Sequence, residues 1–160
     1  MTTYMGVASL NIARVSAALA GAGAWDAAPV EFFVSGADSL AVQLTYTQGA
    51  AGGACDIQLQ LSPYSVAALV PAGGAEWIDQ TLYATGVVVG GAETQSLMQA
   101  EYVTFDPVGA AAEGVTFAPV ALDGLFERCR VPARESGVVG TPGIAAITVN
   151  LSGFQPGGLL

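Results

Sequence analysis

Arginine is the sole cation of this 160-residue chain, and three of its four copies fall within ERCRVPARES as Arg128, Arg130 and Arg134. In an extended strand, residues two apart share a face. Arg128 and Arg130 would therefore line up with Phe126, alternating with Cys129 and Val131. Guanidinium groups grip carboxylates through paired, charge-assisted hydrogen bonds, so all three arginines are candidate contacts to an acidic partner subunit. The intramolecular alternative pairs them with Glu127, Glu135 or acids on facing strands. Four cations against 13 acids put a carboxylate near each arginine on either reading.

The rest of the catalytic vocabulary is sparse. There is no His, which removes Ser-His-Asp and Cys-His catalysis and histidine metal ligation. There is no Lys, which removes the phosphate-loop lysine, Schiff-base chemistry and Ser-Lys dyads. What remains is carboxylate-only chemistry, chiefly glycoside hydrolysis, which needs two acids held across a cleft. The acids here are scattered singly and lack the spacing of a calcium loop. Turns and polar strand faces account for most of them. The expectation is a non-enzymatic chain with no cofactor and no metal.

Cys55 and Cys129 are in neither a CxxC nor a zinc-like spacing and read as free, buried thiols, although pairing is the alternative. The aromatics Trp25, Trp77, Tyr46, Tyr64, Tyr83 and Tyr102 could build a sugar-stacking platform. In a domain of this size they read as core and rim anchors. GAAGGA and VGGA have neither the lysine nor the strand-to-helix setting of a phosphate loop, and read as connections.

A net charge of −9 opposes non-specific nucleic-acid binding, which rests on phosphate neutralisation by cations, and opposes docking on anionic lipid. No stretch approaches the roughly 18 uninterrupted apolar residues of a membrane helix. VSAALAGAGA, residues 15–24, resembles the apolar region of a signal peptide but has only Arg14 before it, and is expected to be part of the folded protein. The chain is 52% hydrophobic and 11% charged, the excess being largely Ala. With so few charges to cover the outside, oligomerisation or assembly is the expectation.

The elements that must position these groups are strands. SLAVQLTYT, residues 39–47, alternates Leu40, Val42, Leu44 and Tyr46 against Ala41, Gln43, Thr45 and Thr47. CDIQLQL, residues 55–61, alternates Cys55, Ile57, Leu59 and Leu61 against Asp56, Gln58 and Gln60. The two read as an antiparallel hairpin across QGAAGGA, each with one face for a core and one for water or a partner. Further strands are predicted at VEFFVSG (30–36), 77–84, 86–89, 94–106, VTFAPVAL (115–122), LFERCRVPARE (125–135) and AAITVNLSG (145–153). SGVVGTPG reads as a long hairpin loop before the last of them.

About eight short strands with turns between them predict an all-β chain, an antiparallel β-sandwich of jelly-roll or immunoglobulin-like type spanning residues 25–153. Residues 1–24 are expected to form an arm or a short helix, since Ile12, Val15 and Leu19 recur at helical spacing; an extended arm packed on a neighbour is the alternative. Residues 154–160 read as a tail.

Two runs carry a family resemblance: WDAAPVEFFVSGADSLAVQLTYTQGAAGGACDIQLQLSPYSV and FERCRVPARESGVVGTPGIAAITVNLSG. The Trp-Asp opening, TYTQGAAGG followed by SPYS, and an arginine-rich penultimate strand ahead of a TPG turn resemble small β-sandwich virion proteins of tailed bacteriophages, of the capsid decoration or cement type. The resemblance spans about two-thirds of the chain and brings no catalytic residues with it. It implies a homo-oligomer, commonly a trimer, seated on the capsid exterior and bridging major capsid proteins. Other phage head, neck or tail accessory proteins share such patterns. The alternative from another class is a carbohydrate-binding or adhesive sandwich, which requires surface-clustered Trp and Tyr.

Overall fold

A computed structural model describes residues 9–82, 84–89, 102–137 and 140–153. The chain is all-β, and the described residues form thirteen strands: β1 (Ser9–Ala18), β2 (Phe32–Phe33), β3 (Ser39–Thr47), β4 (Gly53–Ile57), β5 (Leu59–Ser62), β6 (Ile78–Gln80), β7 (Ala84–Val89), β8 (Val103–Phe105), β9 (Glu113–Phe117), β10 (Val120–Ala121), β11 (Arg128–Arg130), β12 (Ala133–Gly137) and β13 (Ile144–Ser152). Two single turns of 3₁₀ helix, Gly21–Gly23 and Ala67–Leu69, complete the regular structure.

One layer is a large antiparallel sheet in the order β1-β13-β3-β9-β7, with β10 on the same side of β3 as β9. Its backbone is the unbroken pairing of β13 with β3, from Ile144 opposite Thr47 to Ser152 opposite Ser39. The other layer consists of two short sheets, β2-β11-β5-β6 and β12-β4-β8. They are halves of one ladder. Only Gln58 separates β4 from β5, only Val131 and Pro132 separate β11 from β12, and the Gln58 amide donates to the Pro132 carbonyl at 3.1 Å across the break. Proline has no amide to give the ladder, which is why the strand interrupts there.

The period-two pattern decides what lies between the layers. Leu40, Val42, Leu44 and Tyr46 of β3 and Ala145, Ile147, Val149 and Leu151 of β13 are buried in one cluster with Cys55, Ile57, Leu59, Leu61, Phe105 and Cys129 of the second layer. Tyr46 meets Phe105 edge-on across the core, ring centroids 6.4 Å apart. Each fully buried aliphatic or aromatic side chain contributes about 1.5–3 kcal/mol, so this cluster is the main source of stability.

Several expectations are corrected. β3 and β4 do not form a hairpin: β13 and β9 occupy both edges of β3, β4 pairs with β12 and β8, and Gln48–Gly52 crosses between layers. SGVVGTPG likewise joins β12 in one layer to β13 in the other. The expected arm or short helix is, over Ser9–Ala18, a strand hydrogen-bonded to β13, so these residues belong to the sandwich. Their helical spacing is incidental. Leu10 and Ile12 lie on one face and Asn11 and Ala13 on the other, and bulges flank Arg14. The strand count exceeds eight because long alternating runs are broken in two. VEFFVSG contributes only Phe32 and Phe33. The expected strand at 94–106 is seen only as β8, its first part lying outside the described residues, as do residues 1–8 and the tail at 154–160.

Candidate functional site

The strand alternation that buries Cys129 and Val131 turns Arg128, Arg130 and Arg134 to the outer face of the second layer. None of the three is idle there. Arg128 is buried; it donates to Glu31 at 2.8 Å, to Glu76 at 2.6 Å and to the Tyr64 carbonyl at 2.7 Å. Arg130 donates to Gln60 Oε1 at 2.7 Å, and the Gln60 amide donates in turn to Asp79 at 2.9 Å. Trp77 packs its ring on both guanidinium groups, 5.0 Å from Arg128 and 4.2 Å from Arg130. Burial lowers the pKa of Arg130, opposed by the nearby Glu31 and Glu76.

Arg134 repeats the arrangement one half-sheet away. Its Nε donates at 2.7 Å to Asp56, which also accepts from Thr104 at 2.7 Å. The guanidinium lies 4.4 Å from the Trp25 ring and 4.7 Å from that of Tyr102, and the two rings meet edge-on. The fourth cation, Arg14, donates to Asp26 at 3.0 Å and to the Ala17, Ala18 and Ala145 carbonyls. The intramolecular reading of the arginines therefore describes their contacts: Arg134 takes Asp56, the acid opposite it on the facing strand, whereas Glu127 and Glu135 are not the arginines' partners. Glu127 accepts from Ser35 and Glu135 from Tyr46. Trp25 and Trp77 are half-buried, each with arginine on its ring, which leaves little of either for a sugar. Tyr83 lies outside the described residues.

Sequence reasoning missed the buried acids. Asp56, Glu113 and Glu135 are sequestered, not solvated. Both oxygens of Glu135 are used: Tyr46 Oη donates to one and the Gly143 amide to the other, each at 2.9 Å. A side chain at Gly53 would strike Glu135, and one at Gly143 would strike the Tyr46 ring, so those glycines leave room for the clamp. Glu113 takes the Val108 and Gly109 amides at 3.2 and 3.0 Å. Burial, then Glu135, raises the pKa of Tyr46 far above its ordinary value. Burial likewise raises both thiols, Cys55 and Cys129, which are free. A buried carboxylate behind a Gly in the neighbouring strand is the only sequence signal, and it is a weak one.

A cleft of about 530 Å³ opens between Gln48–Gly52 and Asp106–Ala110. Gln48 donates to the Gly53 carbonyl, and small residues make up most of the remaining wall. Among the described residues no group of three or more His, Cys, Asp or Glu could hold a metal ion, and no helix is long and apolar enough to cross a membrane.

The outer face of the large sheet is different in kind. Arg14 and Glu113 are the only charged residues in its six strands, and both are bound inward. Its rows read Leu10–Asn150–Ala41, Ile12–Thr148–Gln43–Thr116 and Ala146–Thr45–Gly114. Thr148 bonds Gln43, and Ser39 bonds Ser152, across strands. Leu10, Ile12 and Ile144 are 64%, 58% and 46% exposed on it, and the second layer likewise exposes Phe33 and Ile78.

No protein-family model matches the chain, and no curated protein sequence matches it. Among solved structures it is similar to the VP2 subviral particle of infectious bursal disease virus, at 11% identity and a TM-score of 0.46 over 92% of this chain. The chain spans about a third of that protein, 32% of its length. It is also similar to the SPBc2 prophage-derived protein YomS, at 13% identity and a TM-score of 0.38, covering 95% of this chain and 99% of the other.

Proposed function

We propose that this chain is a structural protein of a tailed-phage virion, decorating and stabilising the capsid shell by surface contact with major capsid proteins and with other copies of itself. The observation that carries the reading is the charge-free outer face of the large sheet in a protein of net charge −9. A soluble protein that concentrates its charges elsewhere and leaves large apolar side chains on a flat face has the makings of an interaction surface. The resemblance of residues 25–66 and 126–153 to decoration proteins supports the same reading and spans central strands of both layers. The acidic balance favours a position away from packaged DNA, on the outside of the shell.

The direct test is co-sedimentation of the purified chain with expanded shells that lack it, followed by cryo-EM of the decorated particles. Saturable binding with density on the exterior is expected. A chain that stays in the supernatant at every concentration would remove the reading.

A further inference from the structure

We infer that the outer face of the large sheet is a self-docking surface, and that its occupant is the same face of a second copy of this chain. The inference deepens the assembly reading above and rests on it for purpose, though not for geometry.

Electrostatics selects the occupant. Two copies each carrying −9 repel wherever carboxylates face one another. Arginine does not relieve this, because all four guanidinium groups are engaged within the chain. A basic partner would be drawn to the acidic loops and would gain nothing from a face without charge. The six strands of the large sheet present no charged side chain outward, so a second copy approaches there without like-charge opposition.

Size and shape agree. β3 and β13 are nine residues each, about 30 Å at roughly 3.3 Å per residue, and five strands about 4.8 Å apart span about 24 Å. With β9 and β7 only five and six residues long, the face covers about 600 Å², at the low end of the roughly 600–1,000 Å² per partner of a stable interface. Leu10, Ile12 and Ile144 supply apolar anchors toward the β1 side, and Gln43, Thr45 and Thr148 supply uncharged hydrogen-bonding groups at the centre. Edge-to-edge extension through β1 is disfavoured, because bulges on either side of Arg14 interrupt the edge that no described strand occupies. Packing a face against its own copy is isologous and gives a twofold pair, not the threefold arrangement that the resemblance implies.

Sedimentation of the full chain tests this. The wild type is expected to form dimers at micromolar concentration, and to associate more tightly as salt rises, because screening weakens repulsion between the carboxylates elsewhere. Thr45→Glu and Thr45→Arg, each placing one charge on an exposed position, should each weaken association about tenfold or more. Val108→Glu, on a loop at 79% exposure, should leave association within about twofold of the wild type. A wild type that remains monomeric at about 100 μM, or Thr45 variants that associate as tightly as the wild type, overturns the inference. So does loss of shell binding by Thr45→Glu when the wild type is monomeric, which would give the face to the shell protein. Intact dimers that fail to bind shells would overturn the virion reading and leave self-docking standing.

Discussion

The two layers of the sandwich expose opposite kinds of outer face. The second layer carries Arg128, Arg130, Arg134, Asp56 and Asp79 on its strands and covers them with its own loops, Trp25, Tyr102 and Trp77 lying over the guanidinium groups. The large sheet carries hydroxyls, amides and a few aliphatics, and no described loop covers it. On the second layer charge binds the protein's own segments, and the outer face of the large sheet is neutral. The lesson is that a cluster of cations in a sequence marks where an acidic chain fastens its loops as readily as where it meets a partner.

The comparison is most easily broken at Arg134. Its partner Asp56 is only 2% exposed, so Arg134→Ala strands a buried carboxylate, and the expected loss is about 3–5 kcal/mol in chemical denaturation. Arg128→Ala should cost less, because Glu31 and Glu76 are 43% and 28% exposed and can rehydrate. Equal losses would mean that the two clusters do not differ in the way their burial indicates.

Trp77→Ala removes the ring that covers Arg128 and Arg130, and a loss of about 2 kcal/mol is expected from the apolar area and the cation–π contacts together. Limited proteolysis should then cut within residues 63–77 sooner than in the wild type, while the large sheet keeps its protection.

Alkaline titration probes the core that both layers share. Tyr46, Cys55 and Cys129 have folded pKa values raised above their ordinary 10.0 and 9.0. Their contribution is complete below pH 9 and is lost as pH rises, because the unfolded chain releases protons that the folded chain retains. Stability should fall from about pH 9 upward, by about 1.4 kcal/mol per pH unit for each group titrating only when unfolded. Urea midpoints across pH 8–11 check the sign, and Tyr46→Phe should make the fall shallower above pH 10.

The smallest expected effect is the sharpest contrast. Thr45→Glu on the open face should change stability by no more than about 0.5 kcal/mol, measured by thermal unfolding of the monomer, although it alters association. A large loss would mean that the face is part of the fold and not a surface held open.

The sequence by itself determined the all-β class, the inward and outward residues of β3, β5 and β13, the absence of His and Lys chemistry, and the uncharged faces of β3 and β13. Local period-two patterning and composition carry those, and neither needs a partner strand. Only the tertiary structure decided which strands pair, that Gln48–Gly52 crosses between layers, that Ser9–Ala18 joins β13, and that the arginines point at Glu31, Glu76 and Asp56. Alternation fixes which side of a strand meets the core but not which strand lies beside it. The acids that reach an arginine lie 52–97 residues away for Arg128 and 78 for Arg134, brought there by a ladder whose register no local pattern records.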